Sequence, residues 1–414
     1  MRIKLTLLLT FLSLSVSAQR ENLFTIDAQV RTRGEYDNGA HHLRNEGVEP
    51  VLFVGNRTRL TLGYQRKNLE LRASGQYTGI WGDESQQKSS RHLSLNEAWG
   101  KLNFQPGIFV QLGRMPLAYD DERILGASDW SLTGYWHDAL RVGFENQTHQ
   151  AHLFATYLQD NDNTRGGYYT QPMPYKQMQG LWYHLQLLPE MPLGISVTLL
   201  NTGIESGTQK SGKTRWLQTM GGHLTFQPYH FNVAASFYYQ RGKDATSDRV
   251  GAFMASGRLG YEFPDIISLR AGFDYFSGND GLNANQHAFN PLFGTGHNFF
   301  GAMDYFTGRI NFGLQDITAG LTAHLTKDIT LDADYHYLSM AEIVYGFDID
   351  RPIGHEVDIK CDARIFKDVT LQAGYSMMFG TPTLDVIQSG DHTRWHDWAW
   401  ISLNINPRLF LTKW

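Results

Sequence analysis

The chain is predicted to be all-β: a transmembrane, antiparallel, up-and-down β-barrel of about eighteen strands. Three observations predict it. After the first residues no run of eighteen apolar residues occurs, so no membrane-spanning helix is available. Aromatic residues make up 13% of the chain and glycine occurs 41 times, a composition suited to a barrel wall in which only every second residue meets lipid. Apolar and polar residues also alternate with a period of two in segment after segment from Phe24 to Ile405, as strands do between lipid and lumen.

The chain begins with Arg2 and Lys4, then an apolar stretch from Leu5 to Val16 and the small residues Ser17 and Ala18. That is the form of a bacterial secretory signal peptide over residues 1–18, cut before Gln19. The alternative, a membrane anchor, needs about 20 apolar residues and the run is shorter. No cysteine follows the cut, which argues against a lipoprotein, and the single Cys361 excludes an internal disulfide. A net charge of −5 and the lack of a long basic block argue against a nucleic-acid partner. No linker divides the remainder, so residues 19–414 are expected to form one barrel domain in the outer membrane of a Gram-negative bacterium. It is expected to be a monomer with outer-membrane lipid as its surroundings, and no cofactor is implied.

Strands are expected near residues 23–35, 54–66, 68–80, 92–104, 107–115 and 138–147, then 149–160, 178–188, 193–203, 216–227, 230–241 and 250–263. The last six are expected at 266–277, 308–325, 328–339, 355–366, 369–380 and 397–406. In the first, Phe24, Ile26, Ala28 and Val30 take one face and Asp27, Gln29, Arg31 and Arg33 the other. In the sixteenth, Glu356, Asp358, Lys360, Asp362 and Arg364 share one face, and five charges cannot point at lipid. A soluble β-sandwich would also alternate, but its outward sets would not be so rich in Ala, Gly and Tyr. Short links such as Lys327-Asp328 and Lys367-Asp368 read as periplasmic turns. Long links such as residues 160–177 and 277–298 are expected on the outer surface.

One link stands apart. "GRMPLAYDDERILGASDW", Gly113 to Trp130, carries Asp120, Asp121, Glu122 and Asp129 with Arg114 and Arg123. Such a loop can fold back and cross-link to wall residues such as Arg141, Arg57 or Arg59, holding a constriction at fixed width; a structured turn with solvated carboxylates is the plainer alternative. The wider segment Gln111 to Val142, with its Gly-Arg, acidic loop, Asp-Trp and Asp-Ala-Leu-Arg, resembles the alginate-export family of outer-membrane porins. It departs at Met115, where the family commonly has Gln, and at Asp121, where it has Gly. The resemblance implies a barrel that conducts an anionic polysaccharide, alginate-like, or its oligomers through a positively charged lumen.

By parity Arg31, Arg33, Arg57, Arg59, Arg72, Lys101 and Arg141 point inward, with Asp27, Glu70 and Glu97 as partial counterweights. Later strands add Arg258, Arg270, Lys360 and Arg364 but also Asp274, Asp332, Asp334, Asp358 and Asp362. An arginine ladder on the N-terminal wall would then face a mixed or acidic wall opposite, a transverse field that orients a polyanion. Pairing that merely stiffens the wall is the alternative for each residue. Three other chemistries carry less. His392 and His396 have metal-ligand spacing only on a helix; "DNDN" at residues 160–163 lacks the glycine and terminal glutamate of a calcium loop; and no Gly-x-Ser-x-Gly supports a barrel-embedded hydrolase. The chain is therefore expected not to be an enzyme. A general porin, or a structural or adhesive barrel, stays open, as do the transported solute and any periplasmic partner.

Overall fold

The computed structural model describes residues 22–83, 92–159, 173–187, 192–206, 213–264, 266–346 and 349–414. The signal segment and the acidic "DNDN" stretch lie outside them. Nineteen strand segments follow one another: β1 (Leu23–Asn38), β2 (Val51–Arg66), β3 (Leu69–Ile80), β4 (Leu93–Gln105), β5 (Ile108–Met115), β6 (His137–Glu145), β7 (His149–Tyr157), β8 (Gln177–Leu187), β9 (Leu193–Ser206) and β10 (Lys213–Phe226). Then come β11 (Phe231–Lys243), β12 (Arg249–Phe263), β13 (Ile267–Phe276), β14 (Leu314–Thr326), β15 (Ile329–Ser339), β16 (Pro352–Phe366), β17 (Val369–Gly380), β18 (His396–Ile405) and β19 (Arg408–Lys413).

Each strand from β1 to β18 pairs antiparallel with its neighbour in sequence, and β1 closes the ring on both β18 and β19. β18 and β19 are two lengths of one wall strand interrupted at Asn406 and Pro407, where the Ala28 amide still donates to the Pro407 carbonyl. The barrel therefore has eighteen strands. An even number is what antiparallel closure requires.

The wall is inside out relative to a soluble domain. Leu60, Leu62, Leu112, Leu153, Leu199, Phe237 and Phe273 are exposed, whereas Arg57, Ser74, Gln76, Gln111, Thr202, Gln240, Asp274 and Glu356 are buried. That inversion excludes the sandwich, because water would not leave so many apolar side chains outward on every strand. Tight links lie at one rim: Gly107 takes φ +86° and Asp368 φ +64° in two-residue turns, and a Cβ on Gly107 would run into the Glu145 carbonyl.

Three differences from the sequence expectation concern the connections. β14 begins at Leu314, not 308, because residues 308–313 belong to the preceding connection and turn at Gly313 (φ +65°). A short helix, α1 (Pro382–Gln388), occupies the last long connection, entered by proline and closed by Ser389 in the left-handed region. The third concerns the apolar core. It lies in the lumen, where Leu117, Leu125, Phe289, Phe300, Met303, Tyr305 and Phe306 are buried. The connection from Phe276 to Leu314, expected on the outer surface at residues 277–298, thus folds inward, driven by its phenylalanines, which water would otherwise solvate at a cost of about 2 kcal/mol each.

A candidate constriction across the lumen

Two connections meet inside the barrel: residues 116–136, between β5 and β6, and residues 277–313, between β13 and β14. Leu125 and Phe293 form a parallel bridge between them, the Gly126 amide donates to the Phe293 carbonyl at 2.9 Å, and the Thr295 amide donates to the Glu122 carbonyl at 2.9 Å. Glu122 also accepts from the Thr295 hydroxyl at 2.5 Å and the Ala127 amide at 3.1 Å. A Cβ at Gly126 would come within 2.9 Å of the Thr295 nitrogen, so only glycine permits this approach.

The first connection is fastened at both ends. On one side the Tyr119 ring lies 5.8 Å from Phe154 and 4.9 Å from Trp182, and Trp182 Nε1 donates to Asp120 at 3.1 Å. Asp121 accepts from Ser236 of β11 at 3.1 Å and pairs with Arg123 at 2.8 Å. Arg123 then reaches Asp274 of β13 at 2.8 Å, with its guanidinium 3.9 Å above Phe299. Asp120, Glu122 and Ser128 all take positive φ (+55°, +61°, +47°). Non-glycine residues hold that conformation only where their surroundings impose it.

On the other side Asp129 meets three arginines. Arg57 pairs with its carboxylate at 2.9 Å, Arg59 at 3.5 Å and Arg31 at 3.9 Å. Arg31 spends its nitrogens on backbone carbonyls: Asp129 at 2.7 Å, Trp130 at 3.0 Å and Ser131 at 2.6 Å. Trp130 is layered between Arg33, 4.1 Å from its ring, and His297, stacked at 4.3 Å, with Trp400 edge-on at 4.8 Å. Arg57 on β2 and Ser236 on β11 stand nine strands apart in a ring of eighteen. The connection therefore spans the diameter of the barrel.

The sequence-predicted residues divide accordingly. Asp120, Asp121, Glu122, Arg123 and Asp129 gather in the crossing. Arg114 does not: it lies on β5 with the outward parity of Leu112 and pairs with Asp138 at 2.9 Å over Trp136, because the strand runs on past Gly113. Arg141 bonds Gln111 at 2.5 Å, not a loop carboxylate. Arg33 pairs with Glu35 at 2.8 Å, Arg72 with Glu97 at 2.9 Å, and Lys101 with Glu145 at 3.9 Å. Asp27 turns to Arg408 and Glu70 to Asn103, so neither offsets Arg31, Arg57 or Arg59. Those three share one carboxylate. Arg57 is fully buried and Arg31 nearly so, while Arg59 and Arg72 line a recess of ≈ 750 Å³ with Asp27, Gln29 and Arg408.

The acidic wall is not opposite the arginines. Asp274, Asp316, Asp332, Asp334 and Asp358 lie on β13–β16, and β15 is four strands from β1 by way of β18. Cations accompany some of them: Arg258 pairs with Asp274, and Arg270 serves both Asp334 at 2.9 Å and Asp332 at 3.6 Å, while Asp316 and Asp358 share His336 and Lys360 pairs with Asp362 at 2.9 Å. His137 and His396 are buried, the first bonded to Tyr175 at 2.8 Å and the second accepting from the Arg44 amide at 3.0 Å. Trp130 was marked in the sequence only as part of the Asp-Trp motif, and His297 and Thr295 were not singled out. The density of Phe in residues 289–312 was the available signal.

The two ends of the crossing titrate in opposite senses. Burial raises the Asp129 carboxyl, but the hydrogen bond and charge of Arg57, with Arg31 and Arg59, outweigh it and hold it below the ordinary range. Its contribution is present above the unfolded pKa and lost as pH falls through the depressed value. Burial raises Asp120, with bonds from Ser196 and Trp182 opposing only in part, so its contribution is lost as pH rises through the raised value. Acidification below the usual carboxylate range is expected to loosen the Asp129 end and raise single-channel conductance. Asp129→Asn should remove that acid response, and an identical response in the variant would assign it to another group.

A family model described as "Alginate export" matches residues 22–343. Among solved structures the chain is similar to OccK11 (OpdR) of Pseudomonas aeruginosa, at 12% identity and TM-score 0.63 over 94% of this chain and 96% of that one. OccK2 (OpdF) of the same organism, solved in complex with glucuronate, is similar at 12% identity and TM-score 0.63 over 94% and 98%. The outer membrane protein opdK, also of Pseudomonas aeruginosa, gives 9% identity and TM-score 0.62 over 94% and 99%. These likenesses concern the fold. No curated protein matches in a sequence comparison.

Proposed function

The chain belongs to the alginate export family and is an outer-membrane channel, and we propose that it conducts an anionic solute, an acidic polysaccharide or its oligomers. The observation that carries this reading is the ratio of three guanidiniums, Arg31, Arg57 and Arg59, to the single Asp129 carboxylate. Fixed charge set in a low-dielectric wall projects its field into the water it borders, and the excess here is positive.

Arg31 and Arg57 act mainly through that field, since both are buried and their terminal nitrogens are taken by the crossing connection. Arg59, bonded to Gln76 and Asp129, and Arg72, paired with Glu97, stand in the recess beneath it, where a solute carboxylate could compete for them. On the neighbouring wall of β13–β16 Asp332 and Asp334 share Arg270, and Asp316 and Asp358 share His336, so a polyanion would be repelled from that wall and turned toward the arginine side. The uronate bound by OccK2 is the chemical class this reading favours. No side-chain arrangement in the crossing suggests covalent chemistry, and the reading is of a conduit.

Arg59→Glu tests it, because Arg59 lies beside the recess and does not hold the loop backbone. In planar bilayers the reversal potential under a salt gradient should move toward cations, with a several-fold drop in the anion-over-cation permeability ratio. An unmoved reversal potential would favour a general porin.

A further inference from the structure

The outward face of β11 and β12 carries charge where a lipid-facing wall carries none. Arg241 and Lys243 continue the outward parity of Phe237 and Tyr239 on β11. Arg249, directly across from Lys243, continues that of Phe253 on β12. All three are exposed, and among the described residues none makes an ion pair or a side-chain hydrogen bond. The nearest acids in sequence are engaged: Asp244 is buried and takes Arg309 at 3.4 Å, and Asp248 accepts from the Thr246 hydroxyl at 2.7 Å. The outward Arg114 on β5, by contrast, has Asp138.

Depth sets what these cations can meet. The exposed rings of Phe237, Tyr239 and Phe253 lie just below them, with Phe237 6.3 Å and Tyr275 5.3 Å from Phe253, as one arc of an aromatic girdle. Such a girdle marks the boundary between hydrocarbon and headgroups, so one pleat farther toward the long-connection rim is headgroup depth. A second outward feature adjoins these cations. Gln179, Asn201 and Gln218 are in register with Arg241 across β8–β11 and are joined amide to amide at 2.9 and 2.8 Å. Hydrogen-bonding groups outward on four neighbouring strands would be costly against acyl chains but suit a polar headgroup.

We propose that this face docks the phosphorylated headgroup of an outer-leaflet lipid. Arg241, Lys243 and Arg249 would hold the phosphate, the amide row would meet the sugar or other polar part, and the acyl chains would lie over Phe237 and Phe253. Three like charges held this close repel one another unless an anion joins them. Arginine offers a phosphate two parallel donors, which lysine does not. The rings on the same strands favour a lipid over a free ion, because only a lipid satisfies both levels at once.

The test uses the full-length barrel in nanodiscs containing diphosphorylated lipid A, its dephosphorylated form, or neither, with bound lipid counted by native mass spectrometry after extraction. The unaltered protein should retain the phosphorylated form preferentially, and the triple variant Arg241→Ala, Lys243→Ala, Arg249→Ala should bind it at least about tenfold more weakly. Arg241→Lys with Arg249→Lys should keep most of the binding, and millimolar inorganic phosphate should not displace the lipid. Unchanged conductance in the triple variant would show that it folds. Equal retention by the triple variant, equal retention of the dephosphorylated lipid, or full displacement by inorganic phosphate would overturn the proposal.

Discussion

Single-channel conductance is expected to rise at least about twofold when Asp120, Asp121 and Glu122 are together replaced by alanine, because a lumen-crossing segment would lose one of its two fastenings. The three carboxylates have separate tasks: Asp120 takes Trp182, Asp121 takes Ser236 and Arg123, and Glu122 ties the crossing to Thr295. Without them the positive-φ conformations at 120 and 122 have nothing to impose them. The backbone ladders between wall strands do not depend on these bonds, so strand content by circular dichroism should not change. Unchanged conductance would mean that the connection does not limit the passage.

Arg123→Met is expected to cost about 3–5 kcal/mol, the range for breaking a buried ion pair by removing one partner. Arg123 stands between Asp121 and the fully buried Asp274, and its removal leaves Asp274 with Arg258 alone. Amide exchange is the readout, since the loss should appear first at Gly126 and Thr295, where the two connections are bonded. Adding Asp121→Asn and Asp274→Asn to the same chain should recover part of the loss, because the buried charges then disappear together. Exchange that is no faster in Arg123→Met than in the parent would show that the connections are held by apolar packing alone.

The wall was legible because a membrane barrel imposes one demand on every strand: apolar outward, polar inward, period two. Arg31, Arg57 and Arg59 could thus be placed in the lumen from parity, and, apart from the start of β14 and the unexpected continuation of the last strand as β19, the strand boundaries fall within a few residues of those expected. Arg114 was equally legible, since Leu112 two residues earlier fixes its face, but the glycine between them reads as the end of a strand. The connections were not legible in the same way. They have no periodicity, and whether a loop turns inward depends on partners far away in sequence, such as Thr295 for Glu122 and Asp274 for Arg123. The clustered Phe residues of 289–312 announce burial without saying against what. The displaced position of the acidic wall follows from counting strands around a closed ring, which needs the closure of β1 on β18 and β19 to be known.

The excess of arginine over carboxylate at the Asp129 end of the crossing is tested most directly by the reversal potential of the unaltered channel under a potassium chloride gradient, at tens of millimolar salt and again near 1 M. Low salt leaves the fixed charges effective across the lumen, while at 1 M the screening length shrinks to about 3 Å. The expected result is anion selectivity at low salt that fades at high salt. Cation selectivity at low salt, or a selectivity indifferent to salt, would contradict the arginine-governed lumen.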